Sequence, residues 1–409
     1  MEKKLFAFYE KEFNNYRDIL DVPEIEATFV QHDSYAMSYC VNIDFITLII
    51  PFDKANGPSY NTIFVKNELV SYNKMYSEFY GTSVVEHMSF LDTAIELARR
   101  YTDCRELKFD ELYPIAFITN EFIYQERIQT HRGLAFMGRL QESHRIANIS
   151  VAQRDINETF NFTNPHNRVL FELVKDFMIN YRLDESVLIE QHLAQKLISK
   201  NSKELKAKFL KDEKIKIDDY TGFKKRIVND IKMKRPHKVI DIACGDDDII
   251  YDLAKLNIRG GCKIYANDIA LDYIQNYHSK KEDYRKIIFT NYNAIEAPFR
   301  KLAFDVLLCK NLLHHVDPSN REALIRNLLS ISKQVVIVEI LKPEEQNAVG
   351  KKIHTDFFGK VLNEAADKDY LGSTDIVELL KAERAEIDFS DIVDTGNGRY
   401  SYIWASKAD

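Results

Sequence analysis

Val239–Asp248 reads VIDIACGDDD. An apolar run ends in Asp241, a short loop passes through Gly245, and a helical pattern follows over Asp248–Lys255. A loop of small residues lets its backbone approach a ligand closely. The helix start beyond it offers free N–H groups to a carboxylate. An acid at the strand end suits an amine. The segment therefore reads as a strand, a binding loop and a helix, built for a ligand that carries both an amine and a carboxylate.

The same alternation continues outward from this point. Lys263–Ala266, Lys286–Thr290, Phe304–Cys309 and Gln334–Glu339 read as strands. Helical spacing in Leu271–Ser279 and Asn320–Ile331 lies between them. Alternating strands and helices predict a parallel sheet covered on both faces. Glu386–Val393 and Tyr400–Ser406 then stand close together around Asn397-Gly398. That dipeptide is a strong turn signal, so the two runs are expected to pair as an antiparallel hairpin. Asp317-Pro318 supplies a cap and a first-turn proline to the helix at Asn320–Ile331.

Together these motifs resemble the class I S-adenosylmethionine-dependent methyltransferases. The first motif is usually acidic-x-Gly-x-Gly-x-Gly and stands here as Asp241-Ile242-Ala243-Cys244-Gly245-Asp246-Asp247, with one glycine kept. The second is Asp268-Ile269, 23 residues after Gly245. The third is Asn293-Ala294, where the family usually has Asp-Ala, and the fourth runs from Phe304 to His315. The resemblance covers roughly 170 residues and implies an α/β, Rossmann-like, seven-stranded methyltransferase sheet with an antiparallel terminal hairpin. It implies S-adenosyl-L-methionine as cofactor, held by Asp241, Ala243, Gly245, Asp268, Ile269, Asn293, Ala294, Lys310 and Asn311. Asp268 would accept from the ribose hydroxyls, Ile269 would lie against the adenine, and Asn293 would accept from its amino group. A dehydrogenase would need G-x-G-x-x-G after the first strand, and Gly245 stands alone.

Methyl transfer is an in-line displacement that needs close alignment of its reactants, and a base assists a hydroxyl or protonated amine. His315 is the first candidate and His314 the second, because their turn faces the reactive end of the cofactor in the resembling family. Glu339, His354 and Asp356 lie near the same strand ends. His354–Gly359 (HTDFFG) could form a lid or a buried aromatic helix face. The run Asn/Asp-Pro-Pro-aromatic is missing after the fourth strand, which counts against exocyclic methylation of DNA bases. No Cys/His cluster or acidic metal cluster is recognisable, so no metal is expected.

The chain has 409 residues and net charge -7. This balance counts against a dedicated nucleic-acid binder. The five cysteines are widely spaced and suggest no disulfide framework. No apolar run approaches the ~20 residues of a membrane span, and the expectation is a cytoplasmic protein. Lys196–Lys238 holds 15 Lys/Arg against 6 Asp/Glu, net +9. The expected organisation is an N-terminal α+β domain over 1–195, a basic linker over 196–221 and the methyltransferase domain over 222–409. An apolar stripe at Phe223, Ile227, Val228 and Ile231 should cover the sheet.

In the N-terminal half, Ala27–His32, Met37–Pro51 and Tyr60–Val65 read as strands. Ser89–Tyr101, Leu112–Phe136 and Arg168–Tyr181 read as helical. Arg127, His131, Arg132, Arg139, His144 and Arg145 would then form a polar helix pair suited to an anion. Two fragments are similar to flavin-dependent thymidylate synthases: Glu86–Phe90, and Gln129–Arg132 followed by Ser143–Arg145. That family has Arg where Thr130 stands, and Tyr where Ile146 stands. The acceptor is read as a small-molecule or carrier-bound metabolite, with the N-terminal domain binding it or forming a homodimer. The alternatives are an RNA or protein methyltransferase docking through the basic linker, or a bifunctional enzyme with N-terminal nucleotide or flavin chemistry.

Overall fold

A computed structural model describes residues 2–30, 43–50, 52–53, 57–58, 62–70, 74–78, 81–83, 89–102, 109–124, 127–140, 151–155, 157–158, 160, 162, 165–180, 208–209, 211–212, 220–245, 249–255, 261–271, 273–274, 286–361, 369–396 and 398–408. The chain divides into two compact units, Met1–Ser186 and Val187–Asp409. Most of the expected linker, including its basic run, lies outside the described residues. Among those described, no helix is long and apolar enough to cross a membrane.

In the C-terminal unit the strands are β1 (Lys238–Ile242), β2 (Lys263–Asn267), β3 (Ile287–Thr290), β4 (Phe304–Lys310), β5 (Ser332–Ile340), β6 (Ala385–Thr395) and β7 (Gly398–Lys407). They form one seven-stranded sheet in the order β3-β2-β1-β4-β5-β7-β6. The first five run parallel, and β7 is antiparallel to both β5 and β6. This is the parallel run closed by a hairpin that the sequence pattern predicts. Its central strands are buried without alternation, at Val306–Cys309 and Val335–Ile340. Such continuous apolar runs belong to parallel strands covered on both faces.

The helices are α1 (Tyr220–Met233), α2 (Ile249–Ala254), α3 (Arg321–Ile331), α4 (Ala348–Lys352) and α5 (Ser373–Ala382). All four residues of the stripe on α1 are buried. Phe223 meets the rings of Tyr400 and Tyr402 on β7, so α1 does cover the hairpin end of the sheet. Arg226 reaches Asp391 on β6, and Tyr402 donates to Asp230 at 2.9 Å. The expected Asp317 cap is present, but it serves a short 3-10 turn, Pro318–Asn320, just ahead of α3.

The N-terminal unit has its own sheets. A five-stranded sheet runs in the order Glu24–Val30, Phe109–Tyr124, Arg127–Leu140, Ile43–Ile50, Gly81–Ser83. A three-stranded antiparallel sheet joins Val151–Asp155, Thr62–Val70 and Lys74–Glu78. The helices Phe90–Thr102 and Pro165–Asn180 lie where helical spacing places them. The expected helix over Leu112–Phe136 is corrected: these residues form an antiparallel β-hairpin. Leu112–Ile118 and Gly133–Gly138 are buried at every position. A strand covered on both faces shows no alternation, and a short apolar run cannot then be told from a helix. Register breaks beside Pro114, which cannot donate to the ladder. The expected polar helix pair is corrected likewise: Arg127, His131, Arg132 and Arg139 lie on a strand, and His144 and Arg145 lie outside the described residues. Of Glu86–Phe90, only Ser89 and Phe90 are described. Ser89 accepts from the Asp92 amide and caps the helix.

Candidate functional site

The loops that carry the sequence motifs leave the carboxyl ends of β1, β2, β3 and β4. Asp241, near the end of β1, is 1% exposed. The loop beyond it turns through two left-handed residues, Ala243 at φ 57° and Gly245 at φ 55°. A side chain built on Gly245 would meet nothing within 4 Å, so the loop backbone faces open space. Asp246, Asp247 and Asp248 lie outside the described residues.

Asp268 is buried and ties this loop to the end of β2. One carboxylate oxygen accepts from the Gly245 amide at 2.7 Å, and the other accepts from the Ala270 amide at 2.8 Å. Asn291, buried at the end of β3, donates to the carbonyls of Asp268 and Ile269. Asn267 donates to the Tyr292 carbonyl and accepts from the Tyr292 amide and the Thr290 hydroxyl. The three loops are therefore locked edge to edge by side-chain amides and one carboxylate. Asn293 spends its amide oxygen on the Ile295 N–H, closing a local turn. The Ala294 carbonyl accepts from Asn327 on α3. The sequence reading missed the fixing role of Asn267 and Asn291, although both flank its motifs.

The fourth loop leaves β4 through Lys310, which is half-buried, and Asn311, at φ 51°. The Asn311 amide donates to the Val338 carbonyl at 2.8 Å. Its side-chain oxygen is buried and has no hydrogen-bond partner. A buried acceptor left unmet costs about 1–3 kcal/mol, so this atom fits a donor on a bound molecule. The open face of Gly245 and the Asn311 oxygen together suit a ligand that reaches from the first loop to the fourth.

Leu313–His315 follows as a single 3-10 turn. His314 is buried, and its Nδ1 hydrogen-bonds with Glu339, a fully buried residue on β5. The other Glu339 oxygen accepts from the Leu313 amide at 2.9 Å. Burial pushes the Glu339 carboxyl up to about 8, against the lowering effect of these amides and of nearby Arg321. His315 is half-buried, its ring 4.1 Å from that of His314. Tyr370 stacks on the His314 ring at 4.9 Å, and His354 meets Tyr370 edge-on at 4.4 Å. The segment proposed as a lid or helix face is a π-helix, Ile353–Val361. Its His354 and Phe357 are buried, and Phe209 packs against Phe357.

Residues 239–334 match the family model described as a methyltransferase domain. No curated protein sequence matches the chain. Among solved structures, the chain is similar to magnesium protoporphyrin IX methyltransferase from Synechocystis PCC 6803 with bound SAH. That likeness has 17% identity and a TM-score of 0.36 over 46% of this chain and 84% of that one. It is similar to 1,6-didemethyltoxoflavin-N1-methyltransferase from Burkholderia thailandensis at 16% identity and a TM-score of 0.36, over 53% and 88% of the two chains. It is also similar to the mitomycin 7-O-methyltransferase MmcR at 14% identity and a TM-score of 0.35, over 44% and 54%. With its strand order and the family match, the C-terminal unit carries a methyltransferase domain.

Proposed function

We propose that this methyltransferase domain moves a methyl group from S-adenosylmethionine to a hydroxyl or amine of a small or carrier-bound metabolite, with His314 as the base. The observation that carries the reading is the buried His314–Glu339 pair on the strand ends beside the Gly245 loop. β1 and β4 are neighbours, with Ile242 opposite Cys309, so both loops open on one crevice. Ligands of open α/β sheets bind at such strand ends.

When bound, S-adenosylmethionine supplies an electrophilic methyl on a sulfonium. The residues that would hold it are Asp241, Ala243, Gly245, Asp268, Ile269, Asn293, Ala294, Lys310 and Asn311. Gly245 leaves its backbone open to the ligand, and Asn311 offers an acceptor to the ligand's amine. Asp268 fixes the Gly245 loop through the backbone and keeps lone pairs for ribose hydroxyls.

His314 and Glu339 share one buried proton between Nδ1 and the carboxyl group; with that proton on Nδ1, Glu339 is the anion that pairs with the ring and Nε2 is its basic nitrogen. Transfer to the acceptor would form its bond to the methyl carbon and leave the electron pair of the broken carbon–sulfur bond on sulfur. The acceptor's proton passes to Nε2, and Glu339 stabilises the imidazolium that forms. This ordering places His314 ahead of His315. The N-terminal unit, with sheets and a core of its own, serves acceptor binding or pairing of two chains.

The test is calorimetry of the full chain with S-adenosylhomocysteine, followed by transfer of labelled methyl into metabolite pools. Binding is expected, and Asp268→Ala should weaken it at least tenfold. A chain that ignores the nucleoside at millimolar concentration would sink the reading.

A further inference from the structure

Arg321 is the first residue of α3 and is 6% exposed. A cation in the first turn of a helix opposes the helix dipole, and a buried guanidinium needs partners for its donors. Helix formation alone therefore does not account for this residue. Its partners lie on two other segments. Nε donates to the carbonyls of Leu313 and Val316, at 3.1 and 3.0 Å. Nη2 donates to the Asp369 carbonyl at 2.7 Å, and Nη1 reaches the Asp369 carboxylate at 3.3 Å.

These bonds bracket His314. The Leu313 amide is held by Glu339 and the Leu313 carbonyl by Arg321. Beyond the histidine, the Val316 carbonyl is held by Arg321 again. The far side of the guanidinium fixes Asp369, the neighbour of Tyr370. The next residue, Leu371, accepts from the Lys342 amide at 3.0 Å. Tyr370 is thus pinned on both sides while its ring lies 4.9 Å from that of His314, 22° from parallel.

We infer that Arg321 is a positioning residue of the site: it clamps the His314 turn to the Asp369–Tyr370 segment and so keeps Tyr370 stacked on His314. The inference rests on the reading of His314 as the base. Glu339 thus holds Nδ1, Tyr370 covers one face of the imidazole and His315 stands beside it. The planar fork does this work. A lysine in its place would keep the charge but could not span four acceptors on two segments.

The experiment uses the full chain labelled with ¹³C,¹⁵N-histidine. His314 is assigned from the signal lost in His314→Gln. In the parent protein its ring protons carry the ring-current shift of Tyr370, defined as the difference from Tyr370→Leu. Tyr370→Phe should retain that shift, because stacking needs the ring and not the hydroxyl. Arg321→Lys should lose most of it and let the ¹⁵N shifts drift toward a mixture of tautomers. A His314 signal in folded Arg321→Lys that matches the parent would overturn the inference. If Arg321→Lys fails to fold, Asp369→Ala takes its place, since that side chain is 65% exposed. Partial loss of the shift is expected there, and an unchanged signal would likewise overturn the inference. Affinity for S-adenosylhomocysteine is measured on the same samples and should stay within about threefold of the parent. Absence of binding in every sample, parent included, would refute the proposed function and leave the clamp to be judged by the histidine signal alone.

Discussion

Ala243 adopts φ 57° in the loop after β1, a conformation that glycine reaches without strain and a side chain does not. The resembling family usually has glycine here, and the structure keeps the backbone shape while changing the residue. Non-glycine residues in this region carry roughly 1–2 kcal/mol of strain. Ala243→Gly should therefore stabilise the C-terminal unit by up to about 1 kcal/mol, after the entropy that glycine gains in the unfolded chain. Urea unfolding of both proteins checks this, and a loss of stability would contradict the assigned strain. The two histidines should separate in the same direct way. His314→Asn should lower turnover by about 10²–10⁴, the usual scale of general-base help, with affinity for S-adenosylhomocysteine unchanged. His315→Asn should cost far less. Steady-state rates on the eventual acceptor decide between them, and the larger loss at His315 would restore the order expected from sequence. That order could not be settled from sequence, because both histidines sit in one turn. The proposed distinction rests on Glu339, which is 25 positions from His314 and brought alongside by strand pairing. That Asp241 and Asp268 stand at strand ends was readable, because Val239–Ile240 and Ile264–Ala266 are apolar runs just ahead of them.

Elements were readable where their burial has a period. The α1 stripe recurs at helical spacing, and its residues are buried as that spacing requires. Ile231→Ala should cost about 2–5 kcal/mol, the usual loss for a large-to-small change in a packed core. A melting curve that hardly moves would mean that α1 does not seal the hairpin end of the sheet. The pair Phe109–Tyr124 and Arg127–Leu140 was not readable, because both strands are buried on both faces over their central residues. The π-helix at Ile353–Val361 has no sequence signature of its own. A different lesson comes from the helix Phe90–Thr102, whose N-terminus is met from outside its own segment. Glu12, on the helix Glu2–Arg17, accepts from the Phe90 amide at 3.1 Å. Its second oxygen is buried without a hydrogen-bond partner. Burial raises the carboxyl from 4.5 to about 7, the Phe90 amide opposes this, and Asp92 adds to it. The folded state therefore holds this proton more tightly than the unfolded chain does. The contribution to stability is full below pH about 4.5 and is lost as pH rises through about 7. Glu12→Gln should flatten that dependence. Unfolding of the N-terminal unit, followed by urea titration from pH 5 to 8, would show it, and parallel pH profiles for the two proteins would exclude it.

At the scale of the whole chain, two compact units share one polypeptide, with the division at Ser186–Val187. The C-terminal unit contains every residue proposed here to meet the cofactor. Its sheet is closed at one edge by the β6–β7 hairpin and packed by α1, and its motif loops bond to one another. A unit of this size buries enough surface to fold alone. A fragment spanning Val187–Asp409 should therefore unfold cooperatively and bind S-adenosylhomocysteine with nearly the affinity of the full chain. Ligand binding to the folded state alone stabilises it by RT ln(1 + [L]/Kd), about 2.7 kcal/mol at one hundred times Kd. For a domain of this length that corresponds to a rise in Tm of about 5–11 °C. The Met1–Ser186 fragment should show no such rise, since none of the cofactor residues lies in it. Methyl transfer divides the two roles further. If the N-terminal unit binds the acceptor, the C-terminal fragment should keep its ligand-induced rise in Tm and lose turnover through a higher KM. A fragment that binds the nucleoside and turns over the acceptor as well as the full chain does would remove the N-terminal unit from acceptor binding. A fragment that melts without a cooperative transition would show that the C-terminal sheet depends on the N-terminal unit for its stability.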